Sequence, residues 1–220
     1  MKVILFGATG MVGRGVLRQA LLDPDVEAVL AIGRRPSGVE HPKLRDVVRA
    51  DMFDFNVDPA GLGGYDTCFF CLGVSSIGMN ETEYTRLTYD LTMGWAHALA
   101  RVNPGMRFFY VSGRGTGGKA MWARVKGRTE HDLLALFPAA RMIRLAALRP
   151  MHGEGSSAPG ARVLLAVLSP LWPVLQWLWP DGVITTEELG RAMIRAARAD
   201  DPKRVLESAD LLALGRSATA

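Results

Sequence analysis

The first thirteen residues, MKVILFGATGMVG, constrain this chain more than any other stretch. Val3, Ile4, Leu5 and Phe6 form an uncharged run of β-formers, the pattern of a strand buried on both faces. Gly7, Gly10 and Gly13 follow, and a segment with helical apolar spacing comes next. A buried strand, a glycine turn and a helix leave unpaired N–H groups at a helix N-terminus, where the helix dipole also favours an anion. In such a turn one glycine makes the bend, one admits a phosphate, and one lets the helix pack on the strand. The spacing is G-x-x-G-x-x-G rather than G-x-G-x-x-G. Its position, straight after a strand and opening a helix, reads as the diphosphate site of a dinucleotide.

Val12, Val16, Leu17, Ala20 and Leu21 give the first helix one apolar face, and Asp23-Pro24 ends it. A second buried strand runs from about Glu27 to Ile32, followed by Gly33-Arg34-Arg35. The end of this strand meets the adenosine ribose in a dinucleotide fold, and an NAD site carries an acid there, roughly twenty residues past the glycines. Two arginines stand at that position instead. A guanidinium fork suits a 2′-phosphate that a carboxylate would repel. Arg34 and Arg35 therefore predict NADP(H) over NAD(H), the plain alternative being a solvated arginine pair. A third strand is expected near Asp46 to Ala50, ahead of Asp51 and Met52. Asp51 either accepts from an adenine amino group, with Met52 against the ring, or forms a turn in ADMFD.

Thr67 to Leu72 reads as the fourth strand, and its exit at Leu72-Gly73 would pass the middle of the cofactor. Asn80 and Glu83 form an Asn variant of a capping box, opening a helix with Tyr84, Leu87, Leu91, Trp95, Ala98 and Leu99 on one face. Phe108 to Val111 is the fifth strand and delivers Ser112 and Gly113 to the same edge. A helix from near Lys119 carries Trp122, Val125, Lys126, Thr129, Leu133 and Leu136, and Met142 to Leu145 supplies a sixth strand. This alternation predicts an α/β fold: a doubly wound, Rossmann-like parallel sheet spanning 1–150, with a small C-terminal lobe over 151–220. In that lobe 151–160 is a glycine- and serine-rich loop. Val163 to Pro180 is uncharged but interrupted by Pro170 and Pro173, which argues against a free-standing membrane span. It reads as a substrate-pocket wall or a homodimer surface, with membrane-surface contact the weaker alternative. A polar helix from Thr186 to Arg198 and a short strand near Val205 close the chain.

Composition adds limits. The chain has 220 residues, 49% of them hydrophobic and 22% charged, with a formal net charge of +4. That is ordinary globular chemistry, and nothing resembles a basic arm or an aromatic–basic nucleic-acid surface. Cys68 and Cys71 form a C-x-x-C, but on a strand residues three apart point to opposite faces. They read as two core residues in a reducing compartment, with no metal site. The glycines interrupt any signal-peptide core, and a cytoplasmic location is expected.

GATGMVG, the strand ending VSG, Lys126-Gly127 and LRP after the sixth strand together resemble the atypical short-chain dehydrogenase/reductase superfamily. IGRRP, CLG ahead of the Tyr84 helix, and VKGRTE resemble its Tat-interacting-protein-like, NAD-dependent epimerase/dehydratase-like group. The resemblance implies a Rossmann-like fold with bound NADP(H). It would set Gly7, Thr9, Gly10, Met11, Val12 and Gly13 around the diphosphate, Arg34 and Arg35 at the 2′-phosphate, and Asp51 and Met52 at the adenine. Leu72 and Gly73 would border the riboses, and Lys126 would reach the nicotinamide ribose. The superfamily's catalytic residues are a serine after the fifth strand and a Tyr-x-x-x-Lys pair, whose ammonium lowers the phenol pKa. Here Ser112 and Lys126 are present, but Trp122 stands where the tyrosine would be. An indole N–H donates a hydrogen bond yet cannot shuttle a proton near neutral pH.

Two functions from different classes follow. One is an NADP(H)-dependent oxidoreductase for an apolar or flat small-molecule acceptor that takes its proton from water. The other is a non-catalytic NADP(H) sensor that docks a protein partner. A nucleotide-sugar epimerase is a third reading.

Overall fold

The computed structural model describes residues 1–56, 59–152, 179 and 181–217. At its centre lies β1 (Lys2–Phe6), where four successive side chains are fully buried. The alternation of a strand sends Val3 and Leu5 to one face and Ile4 and Phe6 to the other, so helices must cover both. The neighbours of β1 are β2 (Ala28–Gly33) and β4 (Thr67–Phe70), both parallel, with Val3 beside Val29 and Thr67. Outside these lie β3 (Leu44–Val48), β5 (Arg107–Gly113) and β6 (Arg141–Leu145). A last strand, β9 (Val205–Glu207), pairs with β6 and completes a seven-stranded parallel sheet of order β3-β2-β1-β4-β5-β6-β9. The predicted doubly wound, Rossmann-like α/β fold is what the chain adopts. The order reverses between β2-β1 and β4, which opens a crevice at the carboxyl ends of these strands.

One face is covered by α1 (Met11–Leu22), α6 (Thr186–Arg198) and α7 (Ser208–Arg216). Helices α1 and α6 cross where Gly15 meets Thr186 and Gly190 meets Gly15: a Cβ on either glycine would lie 2.7 Å from the opposing backbone oxygen. The other face is covered by α4 (Leu91–Val102) and α5 (Met121–Leu136). There Phe6 packs against Phe70 and Trp95, and Phe108 stacks on Phe70 and Phe137. Cys68 belongs to this second core while Cys71 packs against the first, as opposite-facing strand positions require. Both thiols are free, and burial pushes both upward from the ordinary thiol range. Among the described residues no cluster could hold a metal ion, and no helix is long and apolar enough to cross a membrane.

Several boundaries differ from the sequence reading. The third strand begins two residues early, at Leu44, and β4 stops at Phe70, so Leu72 and Gly73 lie in its exit loop. Asn80 caps α3 (Glu81–Thr85) as expected, its side chain accepting from the Glu83 N–H. The helix then passes through a π-helical segment, Arg86–Asp90, before becoming α4. That segment shifts the helical phase, leaving Leu87 half-buried and burying Thr88 in its place. A short helix, α2 (Pro59–Leu62), and a second small sheet, β7 (Ala147–Arg149) with β8 (Val183–Thr185), carry no periodic signal in the sequence. The helix Thr186–Arg198 has the expected bounds, but it buries Leu189, Met193 and Ile194 rather than lying polar on the surface. The loop read at 151–160 and the apolar stretch 163–180 lie outside the described residues, apart from Met151, His152 and Trp179.

Candidate functional site

The turn between β1 and α1 is built from backbone. Gly7 has φ +80°, a conformation other residues rarely adopt, and a Cβ there would lie 2.7 Å from the Cys71 carbonyl oxygen at the exit of β4. Gly13 faces Gly7 so closely that any Cβ would overlap the Gly7 carbonyl. Between them Gly10 donates its N–H to the Gly7 carbonyl at 2.9 Å and forms the N-cap of α1 with no side-chain cap. Its own added Cβ would stand 3.3 Å from that same oxygen. Helix geometry leaves the first-turn N–H groups of Met11, Val12 and Gly13 without intrahelical partners. Thr9 is exposed beside them, and Met11 and Val12 are half-buried.

This turn forms one wall of a pocket of about 560 Å³, whose other wall is the segment after β2. Arg14, Arg34 and Arg35 line it, bringing three basic residues to one cleft. Asp46 on β3 also lines it, and both carboxylate oxygens are taken by Ser37. The Ser37 N–H donates at 3.1 Å and its hydroxyl at 2.8 Å. Met52 and Leu72 supply apolar wall, and Trp95 Nε1 holds the Met52 carbonyl at 2.8 Å. Asp51 is exposed outside the lining, with Oδ1 accepting from the Phe53 N–H at 2.8 Å, so its carboxylate serves a local turn. Gly73 is exposed in the loop beyond Leu72.

The second half of the edge is built from side chains. Ser112, near the end of β5, is buried, and its hydroxyl donates to Glu130 Oε1 at 2.6 Å. Glu130 in turn receives Arg144, with Nη2 at 2.5 Å from Oε2 and Nε at 3.2 Å from both oxygens. Lys126 donates to the Val111 carbonyl at 3.2 Å and lies 5.2 Å from the Tyr110 ring centre. Burial lowers its ammonium to about 8, with Glu130 working in the opposite direction. Trp122, half-buried one turn earlier, packs along the loop after β5, where Cβ atoms on Gly113 and Gly115 would both meet its ring at 3.8 Å. Ser112, Trp122 and Lys126 thus come from one strand end and one helix face. The Ser112 hydroxyl, however, is turned inward to Glu130.

Sequence reasoning missed Glu130, Arg144, Ser37, Asp46 and Arg14. Glu130 had a signal: it follows Lys126 by four residues on a helix whose neighbouring positions Thr129 and Leu133 are core. The Ser37–Asp46 pairing had none, because it joins a loop to a neighbouring strand.

No protein-family model matches the chain. Among curated proteins it is 26% identical to "Protein FMP52, mitochondrial" of Chaetomium globosum, over 97% of each chain. It is 27% identical to the protein of the same name from Eremothecium gossypii, again over 97% of each. Among solved structures it matches a UDP-N-acetylglucosamine 4-epimerase from Methanobrevibacter ruminantium, solved with UDP-N-acetylmuramic acid, at TM-score 0.71 and 16% identity, over 94% of this chain and 75% of that one. It also matches DesIV, a dTDP-glucose 4,6-dehydratase from Streptomyces venezuelae solved with NAD, at TM-score 0.69 and 16% identity, over 94% and 75%. The superfamily resemblance read from the motifs is therefore matched at the level of fold. One expectation is corrected: the FMP52 relatives are named mitochondrial, which overturns the cytoplasmic location inferred from the cysteines and the N-terminus.

Proposed function

We propose that the chain binds NADP(H) and acts as an oxidoreductase on an apolar or flat acceptor, without a phenol as proton donor. The observation carrying this reading is the single pocket where the glycine turn and the basic residues Arg14, Arg34 and Arg35 converge. The residues fit the group. A tight glycine turn that ends in the free N–H groups of a helix start suits a diphosphate, and the arginine rim suits a 2′-phosphate. Met52 and Leu72 offer apolar walls to the adenosine half, and Lys126 offers an ammonium to the nicotinamide ribose. When bound, the dinucleotide supplies the hydride.

The chain's own part is to bind, orient and exclude water. Trp122 presents an indole where a phenol would otherwise donate a proton, and an indole N–H donates a hydrogen bond but does not serve as an acid or base near neutral pH. An acceptor that needs no protein proton, such as a quinone or a flavin, fits that inventory. A sensor without turnover is the second reading, favoured by the inward-turned Ser112 hydroxyl together with Trp122.

Two measurements test the proposal. Calorimetric titration should give tighter binding of NADPH than of NADH, and equal affinities would overturn the cofactor assignment. Steady-state NADPH oxidation with quinones, flavins and aldehydes separates the readings: turnover of a quinone or flavin supports the oxidoreductase. A cofactor that raises the melting temperature, yet is never oxidised, supports the sensor.

A further inference from the structure

Asp46 is the only acid lining the nucleotide pocket among the described residues, and it faces the same cleft as Arg14, Arg34 and Arg35. It lies on β3 directly beside Ala31 of β2, two residues before Gly33. A carboxylate in such a position has two uses open to it. Left free, it accepts hydrogen bonds from ribose hydroxyls and repels a phosphate on the same ribose. Held by donors from the chain on each oxygen, it keeps its charge but has fewer acceptor sites to offer a ribose, and its orientation is set by the chain.

The structure has the second arrangement. Ser37 gives Asp46 two hydrogen bonds, backbone N–H to Oδ1 at 3.1 Å and hydroxyl to Oδ2 at 2.8 Å. The same hydroxyl accepts from the Val39 N–H at 3.3 Å, and Gly38 between them takes φ +77°. The turn after Arg34 and Arg35 is therefore folded back onto β3, and both arginines are exposed beside it.

We infer that the Ser37–Asp46 clamp is the specificity device of this pocket: it occupies the carboxylate that would otherwise serve an unphosphorylated ribose, and so favours a 2′-phosphorylated dinucleotide. Ser37 and Asp46 are positioning residues, and the inference rests on the pocket being an NADP(H) site. It adds that arginines alone do not set the preference, since a free Asp46 would act against them.

The test is calorimetric binding of NADP⁺ and NAD⁺ to wild type, Ser37→Ala, Ser37→Thr and the double variant Ser37→Ala/Asp46→Asn. Ser37→Ala removes the hydroxyl from Oδ2 and keeps the backbone N–H on Oδ1; releasing Oδ2 should weaken NADP⁺ and strengthen NAD⁺, lowering the affinity ratio about tenfold. Ser37→Thr keeps the hydroxyl and should keep the ratio. The double variant should recover it, because the released group is then an uncharged amide. A Ser37→Ala protein that loses both ligands equally, with no recovery in the double variant, would mean that the clamp merely orders a loop. An unchanged ratio in Ser37→Ala would also overturn the inference. A wild type with no preference for NADP⁺ would instead remove the reading on which it rests.

Discussion

On the β1–β3 side of the sheet edge the pocket is shaped by backbone. Gly7, Gly10 and Gly13 set where a ligand can approach, and the side chains that matter stand on the rim. On the β5–β6 side the edge is held by a buried chain of polar groups running from Ser112 through Glu130 to Arg144. The two constructions fail differently. At Gly10, the one glycine of the turn with room for a Cβ, an added side chain should cost the ligand while the fold remains. A buried polar chain loses stability when a side chain is removed, because its partners are left unsatisfied.

Gly10→Val is the sharpest way to test that contrast. Its φ of −84° suits any residue, and the added Cβ meets only the Gly7 carbonyl at 3.3 Å, so the fold should survive. The branched side chain fills the space a diphosphate needs, and NADPH affinity should fall by about a hundredfold or more, which is ~2.7 kcal/mol. Calorimetry beside a circular-dichroism melt checks both halves. A variant that binds normally would break the assignment of this turn.

Glu130→Ala is the mirror experiment. It strips the acceptor from the Ser112 hydroxyl and from Arg144, and removing one partner of a buried ion pair costs about 3–5 kcal/mol. The Arg144 side chain is 25% exposed and has Glu207 at 3.6 Å, so the loss should sit at about 3 kcal/mol or slightly below. Urea unfolding measures it. If Glu130→Ala were neutral in stability yet altered NADPH affinity, the polar chain would belong to the ligand rather than to the fold.

This difference also decides what could be read from the sequence. The glycine turn was legible because each glycine answers a local need, at positions fixed by one strand and one helix. The alternation of β1 and the apolar face of α1 were legible for the same reason. Leu87, expected on one face with Tyr84 and Leu91, is only half-buried because a π-helical segment adds a residue to a turn without changing the composition. Asp51 carried two readings, an adenine contact or a turn, and its Oδ1 accepts from the Phe53 N–H as the turn requires. Asp46 and Ser37 were missed because they pair across 9 residues of chain, beyond any periodic pattern, whereas Glu130 stands one helical turn after Lys126 and only its Ser112 partner, 18 residues back, was hidden.

The double variant Arg34→Ala/Arg35→Ala probes the rim of the backbone-built half. Each guanidinium can give a charge-assisted contact to a 2′-phosphate, and losing them should cost NADPH about 1.5–3 kcal/mol while leaving NADH little changed. That is roughly tenfold or more in selectivity. Titration of both nucleotides checks it, and a parallel loss for both would move the arginines from recognising the 2′-phosphate to general attraction.

Lys126 belongs to the β5–β6 half, against Val111 and Tyr110, and pH separates its two roles. Burial lowers its ammonium to about 8 from the ordinary 10.5, so the unfolded chain holds this proton more tightly than the folded one. Between about pH 8 and 10.5 the unfolded state binds more protons, and the Lys126 contribution to stability rises with pH. A ligand that accepts hydrogen bonds from the ammonium goes the other way, and NADPH affinity should weaken a few-fold as pH passes about 8. Lys126→Met should flatten both trends in urea unfolding and calorimetry at pH 7 and 9. A wild type whose NADPH affinity is the same at both would leave the ammonium without a ribose to serve.

Trp122 carries the smallest expected effect and the most direct bearing on chemistry. Its ring lies against the Gly113–Gly115 loop, so its contribution is shape and apolar area rather than a proton. Trp122→Phe keeps much of that area and should retain most NADPH oxidation with a quinone or flavin acceptor. Trp122→Tyr sets a phenol one turn from Lys126, whose positive charge lowers a phenol pKa. Even so, Ser112 donates to Glu130 and is not turned toward a carbonyl, so aldehyde reduction should stay weak in this variant. Adding Glu130→Gln to Trp122→Tyr removes the charged acceptor that fixes the Ser112 hydroxyl, and aldehyde turnover should rise above that of Trp122→Tyr alone. Steady-state NADPH oxidation across the four proteins decides it. Robust wild-type aldehyde turnover, abolished in Trp122→Phe, would contradict this account, because it would require proton chemistry from an indole that has no accessible pKa for it.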